Sequence, residues 1–368
     1  MKRKINIINY LITIIITFLV FFFTLLKCSE QYGGQIFDWV LRFVVGAIVS
    51  GFICALIHEI GHYIAGRKNG FIFSSMAVWF FRLRKDGKKI KFDFIMLGEQ
   101  AGYTEMIPSS EQDLDVKLKK MTIGGLIASF IIMMLGIPAL YLTDYLSVWA
   151  FAIWSMFLTM GAYYFFGTAL PASDEHTLND GAVLYNLKKK TDISKVMINL
   201  LKIQANLYQG KTPSEIDEKL YFDVPQLRED DVNFALLLNA RYQYYLDKKD
   251  YENAQKCSDR LLTLEEYLPK AYFTIFKIDA LYNACTFSKD EYKADDIMYE
   301  VDKYINAVND NQTLRAKLAY LLNVRQEREG ADMFFNKAYK EADKCQLKGL
   351  GLMERKLLDG LKEEFDKN

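Results

Sequence analysis

Histidine is scarce in this chain of 368 residues: His58, His62 and His176 are the only three. Its five cysteines (Cys28, Cys54, Cys257, Cys285 and Cys345) are scattered and form no CxxC pair. That spacing excludes a disulfide framework and a cysteine-built zinc site, and leaves isolated thiols in a reducing or apolar setting. An excess of one charge is missing too. The 46 Lys+Arg balance 46 Asp+Glu, so no global basic field argues for a nucleic-acid partner. The balance conceals two unlike halves. Residues 1–187 carry 16 Lys/Arg and 14 Asp/Glu, whereas residues 188–368 carry 30 and 32. The first half reads as membrane and the second as soluble and highly charged, in a chain with room for two or three structural units.

What the first half has instead is long uncharged runs. Ile5–Leu26 spans 22 residues behind Lys2, Arg3 and Lys4, and a bilayer crossing needs about 20. This core is too long for a signal peptide and lacks a small-residue cleavage site, so it reads as a retained first span. Lys27 directly before Cys28 argues against lipoprotein processing. The second span runs from about Asp38 through His58 and His62 to Ala65, the third from Met121 to Leu142, and the fourth from Tyr145 to about Pro171. Asp144 is the only charge between the last two, which makes them a tight antiparallel hairpin. Eleven Lys/Arg lie between spans two and three and Lys188–Lys190 follow the fourth, against Lys27 and Arg42 on the other side. The positive-inside rule then predicts a multi-pass protein of the cell membrane with both termini cytoplasmic.

The loop between spans two and three is expected to hold a small β-hairpin. Phe71–Arg84 and Lys88–Leu97 are rich in aromatic and β-branched residues, with Asp86-Gly87 between them. Ile90, Phe92 and Phe94 alternate with Lys89, Lys91 and Asp93, giving one apolar face and one wet face. Such a sheet either covers the loop at the membrane surface or offers an edge strand to an unfolded substrate.

The fifteen residues Phe43–Ile57 contain no charge, and His58-Glu59-Ile60-Gly61-His62 follows them. On a helix, HExxH sets two imidazoles at i and i+4 on one face, close enough to share a Zn²⁺, with Glu59 beside the first as general base. Ionisable residues inside an apolar segment are costly and mark function. A helix entering near Asp38 climbs about 1.5 Å per residue, so His58 lies roughly 30 Å on, near the cytosolic end. These residues read as a zinc hydrolase site within the membrane. Catalytic zinc takes three protein ligands and keeps a fourth position open. Asp174, Glu175, His176 and Asp180, after the fourth span, are the candidates for the third.

HEIGH in a transmembrane helix, followed two spans later by Leu170-Pro171 and then Asn179-Asp180-Gly181, resembles the site-2 protease family of intramembrane zinc metalloproteases. The resemblance covers roughly residues 38–187. It implies His58, His62 and Asp180 as zinc ligands and Glu59 as general base. The family's Asn-Pro-x-Pro…Leu-Asp-Gly pattern is altered here: Thr168 and Asn179 replace an asparagine and a leucine, and the gap from Pro171 to Asp180 is longer. Asp174 and His176 therefore stay open as alternative ligands. Gly124–Ser129 resembles the family's Gly-Gly-Pro…Asn element without its proline or asparagine; by itself it reads as small residues that allow close helix packing. The implied activity is hydrolysis of peptide bonds in membrane-anchored proteins or peptides near the cytosolic face. The substrate helix must unwind locally, which helix-weakening residues would ease.

From about Lys188 the chain reads as consecutive amphipathic helices, broken at Gly210–Pro213, Val224-Pro225, Pro269 and Asn309–Asn311. Leu238, Tyr245, Tyr251 and Ala254, with Asp250, resemble a tetratricopeptide-type helix pair, and Gly330–Ala342 is a weaker second. The expected organisation is an anchor and external loop (1–37), a metalloprotease core (38–187) and a cytosolic helical domain (188–368) that recruits a protein partner or substrate. The fold class is an all-α polytopic membrane protein with about four transmembrane helices, a small β-hairpin and a helical soluble domain. Two other readings compete: an inactive relative serving as membrane scaffold or adaptor, and a proton-relay or transporter subunit. The second is disfavoured because the intramembrane charges cluster in one motif.

Overall fold

The computed structural model describes residues 2–33, 36–95, 101–173, 177–268 and 270–367. The chain divides into two compact units. Met1–Lys85, Ile90–Met106 and Asp115–Lys190 form the first; Asp86–Lys89, Ile107–Leu114 and Thr191–Asn368 form the second.

The first unit is built on α1 (Lys2–Tyr32), α2 (Ile36–Lys68), α3 (Leu114–Gly136) and α4 (Val148–Ala169). Within them lie four stretches long and apolar enough to cross a membrane: Asn6–Tyr32, Trp39–Lys68, Leu114–Leu140 and Val148–Ala169. The all-α polytopic class expected from the sequence is the one observed. The helices overrun the uncharged runs, however. The first continues past Lys27, and the third begins at Leu114, ahead of Met121. Lipid selects the uncharged stretch, whereas the backbone ladder continues into the interface, where long lysine side chains reach water. At its other end α3 stops at Gly136, because Pro138 has no N–H with which to continue it. Short 3₁₀ turns at Ile137–Leu140 and Thr143–Tyr145 close the hairpin, and the Ser147 hydroxyl caps α4 by accepting from the Ala150 N–H at 3.3 Å.

Both α1 and α2 pack on α4. At one end of α1, Gln31 Nε2 donates to Asp144 Oδ1 at 2.7 Å and the Tyr32 hydroxyl lies 2.9 Å from the Thr143 and Leu146 carbonyls. The contact of α2 with α3 is closer still. A Cβ on Gly61 would fall 2.4 Å from the Gly124 carbonyl oxygen, and one on Gly124 would fall 2.4 Å from the Ala65 Cβ. Small residues thus let two backbones meet, as read for the 124–129 run.

A four-stranded sheet of order β3-β2-β1-β4 follows α2, made of β1 (Phe71–Val78), β2 (Phe81–Asp86), β3 (Lys89–Phe94) and β4 (Gly102–Pro108). The expected hairpin is its β2–β3 pair, turning at Gly87 with φ +59°, where a side chain would be strained. The run Phe71–Arg84, read as one extended stretch, instead folds back on itself. Val78 pairs with Phe81 and Ser75 with Arg84 across a two-residue turn at Trp79-Phe80. Trp79 takes φ +54°, a conformation its residue type does not advertise.

The second unit holds α6 (Asp192–Gln209), α7 (Lys219–Phe222), α8 (Val232–Asp247), α9 (Tyr251–Leu262), α10 (Lys270–Thr286), α11 (Glu291–Ala307), α12 (Asn311–Asn323), α13 (Ala331–Lys344) and α14 (Lys348–Lys367); α5 (Asp180–Lys189) belongs to the first. Several of its helices start on capping side chains. Asp231, Asp250, Asp290 and Asp310 each accept from a backbone N–H of the first turn, at 2.8 to 3.2 Å. Consecutive helices bury a core that includes Leu246, Leu261, Leu281, Leu318, Phe335 and Leu358. Pro269, one of the expected breaks, lies outside the described residues.

This core also contains charge. Arg315 on α12 is 1% exposed and reaches Asp279 on α10 at 2.9 Å and Glu354 on α14 at 2.8 Å. Its guanidinium carbon sits 4.0 Å from the centre of the Tyr282 ring. Burial pushes the Glu354 carboxyl up to about 7, with Arg315 opposing the shift. Removing one partner of such a trio strands a buried charge, which costs about 3–5 kcal/mol.

Candidate metal centre

Helix α2 delivers His58, Glu59 and His62 on adjoining turns, all less than 10% exposed. The first residue of α5 is Asp180. These elements bring three side chains together: His58 Nε2 and His62 Nε2 lie 3.1 Å apart, and each is 3.2 Å from Asp180 Oδ2. Ligand atoms about 2.0–2.1 Å from a tetrahedral ion would be about 3.3 Å apart. The three donors are thus already spaced as such an ion requires, and together they form a group able to hold a metal.

Hydrogen bonding around the imidazoles points the same way. His62 Nδ1 lies 3.0 Å from the Met121 carbonyl on α3. A carbonyl only accepts, so Nδ1 carries the proton and Nε2 is the nitrogen that faces Asp180, where the neutral ring would offer an ion its lone pair. His58 Nδ1 is 2.8 Å from the Ser129 hydroxyl, also on α3. Ligating histidines are commonly oriented this way through their second nitrogen. Asp180 Oδ2 is buried, within ion-pair distance of both rings, yet makes no aligned hydrogen bond. Lone pairs converging on a buried anionic oxygen call for a cation between them.

The room for this arrangement comes from glycine. A Cβ on Gly125 would fall 2.3 Å from His62 Nε2, and one on Gly181 would fall 2.2 Å from the Ala169 carbonyl oxygen. The first clears space for the ring; the second lets the start of α5 lie against the end of α4.

Glu59 points to another partner. The Thr104 hydroxyl on β4 lies 2.6 Å from Glu59 Oε2. A cavity of about 380 Å³ joins these groups, lined by His58, Glu59, His62 and Asp180, by Ala101 and residues 102–104 of β4, and by Tyr10 of α1.

The turn before Asp180 is held by Asn179. Its Oδ1 accepts from the Ala172 and Ala182 N–H groups, both at 2.9 Å, and its Nδ2 donates to the Gly167 and Leu170 carbonyls at 2.8 and 2.7 Å. The departure from leucine noted at this position therefore carries four hydrogen bonds that tie the start of α5 to the end of α4 and the residues after it. Thr168, the other departure, bonds back to the Tyr164 carbonyl at 2.7 Å within α4 and lines the cavity. Asp174 and His176, the alternative third ligands, lie outside the described residues. Thr104, Ser129 and the Met121 carbonyl were not anticipated as part of the site. Ser129 ended a run read for packing, and nothing in the sequence around Thr104 ties it to Glu59.

Four membrane-crossing helices with a buried His-His-Asp group define a polytopic membrane protein with a candidate metal centre. The sequence model of peptidase family M50 matches residues 46–323, and the chain belongs to that family, the site-2 protease family. Membership makes it a multi-pass membrane protein of a metalloprotease family. The match runs well beyond the 38–187 segment on which the resemblance rested. No curated protein and no solved structure matches the chain.

Proposed function

We propose that this protein is an intramembrane zinc metalloprotease in which His58, His62 and Asp180 hold the ion and Glu59 is the general base. The observation that carries this reading is the convergence of two imidazole nitrogens and one carboxylate oxygen within 3.2 Å of one another. Zinc held there supplies a Lewis acid for the scissile carbonyl and makes water a nucleophile at neutral pH. Glu59, oriented by the Thr104 hydroxyl, takes the proton of the attacking water and passes it to the leaving amine. Burial of all three α2 side chains keeps bulk water from competing.

The substrate is a membrane-anchored protein or peptide, cut near the cytosolic face. Its scissile segment must be extended, and β4 is an edge strand whose residues 102–104 line the cavity. An unwound substrate pairing with that edge would lie against Glu59 through main-chain hydrogen bonds. This moves the expected substrate-pairing edge from the β2–β3 hairpin to the opposite side of the sheet. Residues 1–37 serve as anchor, 38–187 as catalytic core and 188–368 as a helical, tetratricopeptide-like domain for a protein partner, with both termini cytoplasmic.

The test is the zinc content of the detergent-purified chain beside its Asp180→Ala, Asp174→Ala and Glu59→Gln variants. About one zinc per chain is expected, lost with Asp180→Ala, kept with the other two, and with cleavage abolished in Glu59→Gln. Wild-type protein free of zinc under non-stripping conditions would sink the reading in favour of a membrane scaffold.

A further inference from the structure

Helix α1 is apolar toward lipid but carries a polar stripe at Asn6, Asn9, Tyr10, Thr13 and Thr17, spaced to share one face. Asparagine is expensive at membrane depth unless its amide finds partners. Here it does. Asn6 Nδ2 donates to the Ser173 carbonyl at 2.5 Å while the Ser173 N–H donates to Asn6 Oδ1 at 3.2 Å. Asn9 Nδ2 donates to the Pro171 carbonyl at 2.5 Å. One side chain thus imitates a strand partner for Ser173, and the next takes the carbonyl two residues earlier.

Those backbone groups are tied directly to the Asp180 segment. Ser173 forms an isolated antiparallel bridge with Leu178, and the Asn179 N–H donates to the Ala172 carbonyl at 3.1 Å. Residues 171–173 and 178–179 therefore act as one turn, gripped from inside by Asn179 and from outside by α1. We propose that Asn6 and Asn9 are positioning residues that fix this turn, so that α1 sets the place of the Asp180 carboxylate rather than serving as an anchor alone. The proposal rests on Asp180 being a metal ligand.

Two features support a specific role over general packing. The grip at this end is two-sided, with the Asn6 amide both donating to and accepting from the Ser173 backbone, whereas Gln31 and Tyr32 at the far end act as donors. It also satisfies carbonyls that follow the end of α4, where no helical N–H is available to them.

The experiment uses the full chain in detergent, with Co²⁺ and Zn²⁺ as the probes. Asn6→Leu/Asn9→Leu is expected to weaken metal affinity about tenfold and to alter the visible absorption of the Co²⁺ form. Asn6→Gln/Asn9→Gln, which keeps the amide donors, should recover at least part of the affinity and of the wild-type spectrum. Gln31→Leu/Tyr32→Phe, which loosens the far end of the same helix, should leave both unchanged. Equal losses at the two ends, or no rescue by glutamine, would reduce α1 to general packing and overturn the proposal. So would unchanged affinity and spectrum in the leucine pair, provided Asp180→Ala still loses metal. Wild-type protein that binds no metal, or Asp180→Ala that binds as the wild type does, would instead overturn the metal-ligand reading itself.

Discussion

Replacing Gly125 by alanine is the smallest change expected to disable the proposed metal centre. The added Cβ would lie 2.3 Å from His62 Nε2, 2.4 Å from Cε1 and 2.9 Å from Cδ2. Non-bonded heavy atoms settle about 3.5 Å or more apart, so the ring or the α2–α3 contact must yield by about 1 Å. Neither has slack. The ring is held through Nδ1 to the Met121 carbonyl, and the two backbones already touch at Gly61 and Gly124. Overpacking of this kind costs about 1–3 kcal/mol in stability. A displacement of about 1 Å takes one donor off the triangle and should weaken zinc binding at least 100-fold, or about 2.7 kcal/mol. Competition for zinc against a chromophoric chelator, on full-length protein in detergent, measures this directly. Because the effect runs through His62, adding Gly125→Ala to His62→Ala should cost no further affinity. Wild-type affinity in Gly125→Ala, or a full additional loss in the double variant, would refute the reasoning.

Thr104→Val removes the hydroxyl that faces Glu59 while keeping the strand; cleavage should fall about tenfold with zinc content unchanged, the scale of one hydrogen bond to a charged group. In the second unit, Arg315→Met leaves Asp279 and Glu354 buried without their cation and should destabilise that unit by about 3–5 kcal/mol in thermal unfolding; replacing all three by apolar residues should be nearly neutral. The same cluster predicts a pH dependence. Glu354 titrates at about 7 in the folded chain, surrounded by Arg315, Asp279 and Asp310, against about 4.3 when unfolded. Below pH 4 both states hold the proton and the stabilisation is complete. As the pH rises toward 7 the unfolded chain releases it first, so stability falls, by about 3.5 kcal/mol once pH 8 is reached. The buried Asp279, also shifted upward by burial, adds to the trend in the same direction. Melting of the second unit that is unchanged between pH 5 and 8, or that depends on pH equally in Glu354→Gln, would contradict this assignment.

How far the sequence discloses this structure depends on whether an interaction is local. Three spans are legible because each is a continuous uncharged run, the second because Phe43–Ile57 is one, and the His58–His62 pair because i and i+4 share a helix face whatever surrounds them. Asp180 could be singled out from Asp174, Glu175 and His176 only through a family pattern, since 118 residues separate it from His62 and no periodicity links them. The β2–β3 turn announces itself through Asp86-Gly87, whereas the β1–β2 turn runs through Trp79-Phe80 and carries no turn signal. Strand β4 reads as nothing special until it is seen beside β1, with Thr104 against Glu59. The buried Arg315 was hidden for the opposite reason: a charged residue in a helix rich in polar side chains is expected at the surface, and only Asp279 and Glu354, 36 and 39 residues away, reverse that expectation.

The polar groups around the His-His-Asp cluster follow one rule. Each charged or amide side chain at the site is matched by a backbone or side-chain group from a different element: His58 and His62 by α3, Glu59 by β4, and the turn before Asp180 by α1. Within a hydrocarbon setting there is no water to supply a missing partner, so an unmatched group would cost several kilocalories. The partners therefore specify how the elements come together as well as how the donors point. Asp180 Oδ2 departs from the rule, as the one oxygen in the His-His-Asp triangle that lacks an aligned hydrogen bond. A fold that satisfies the groups around it and leaves this atom facing two imidazole nitrogens is the arrangement expected of a group able to hold a cation.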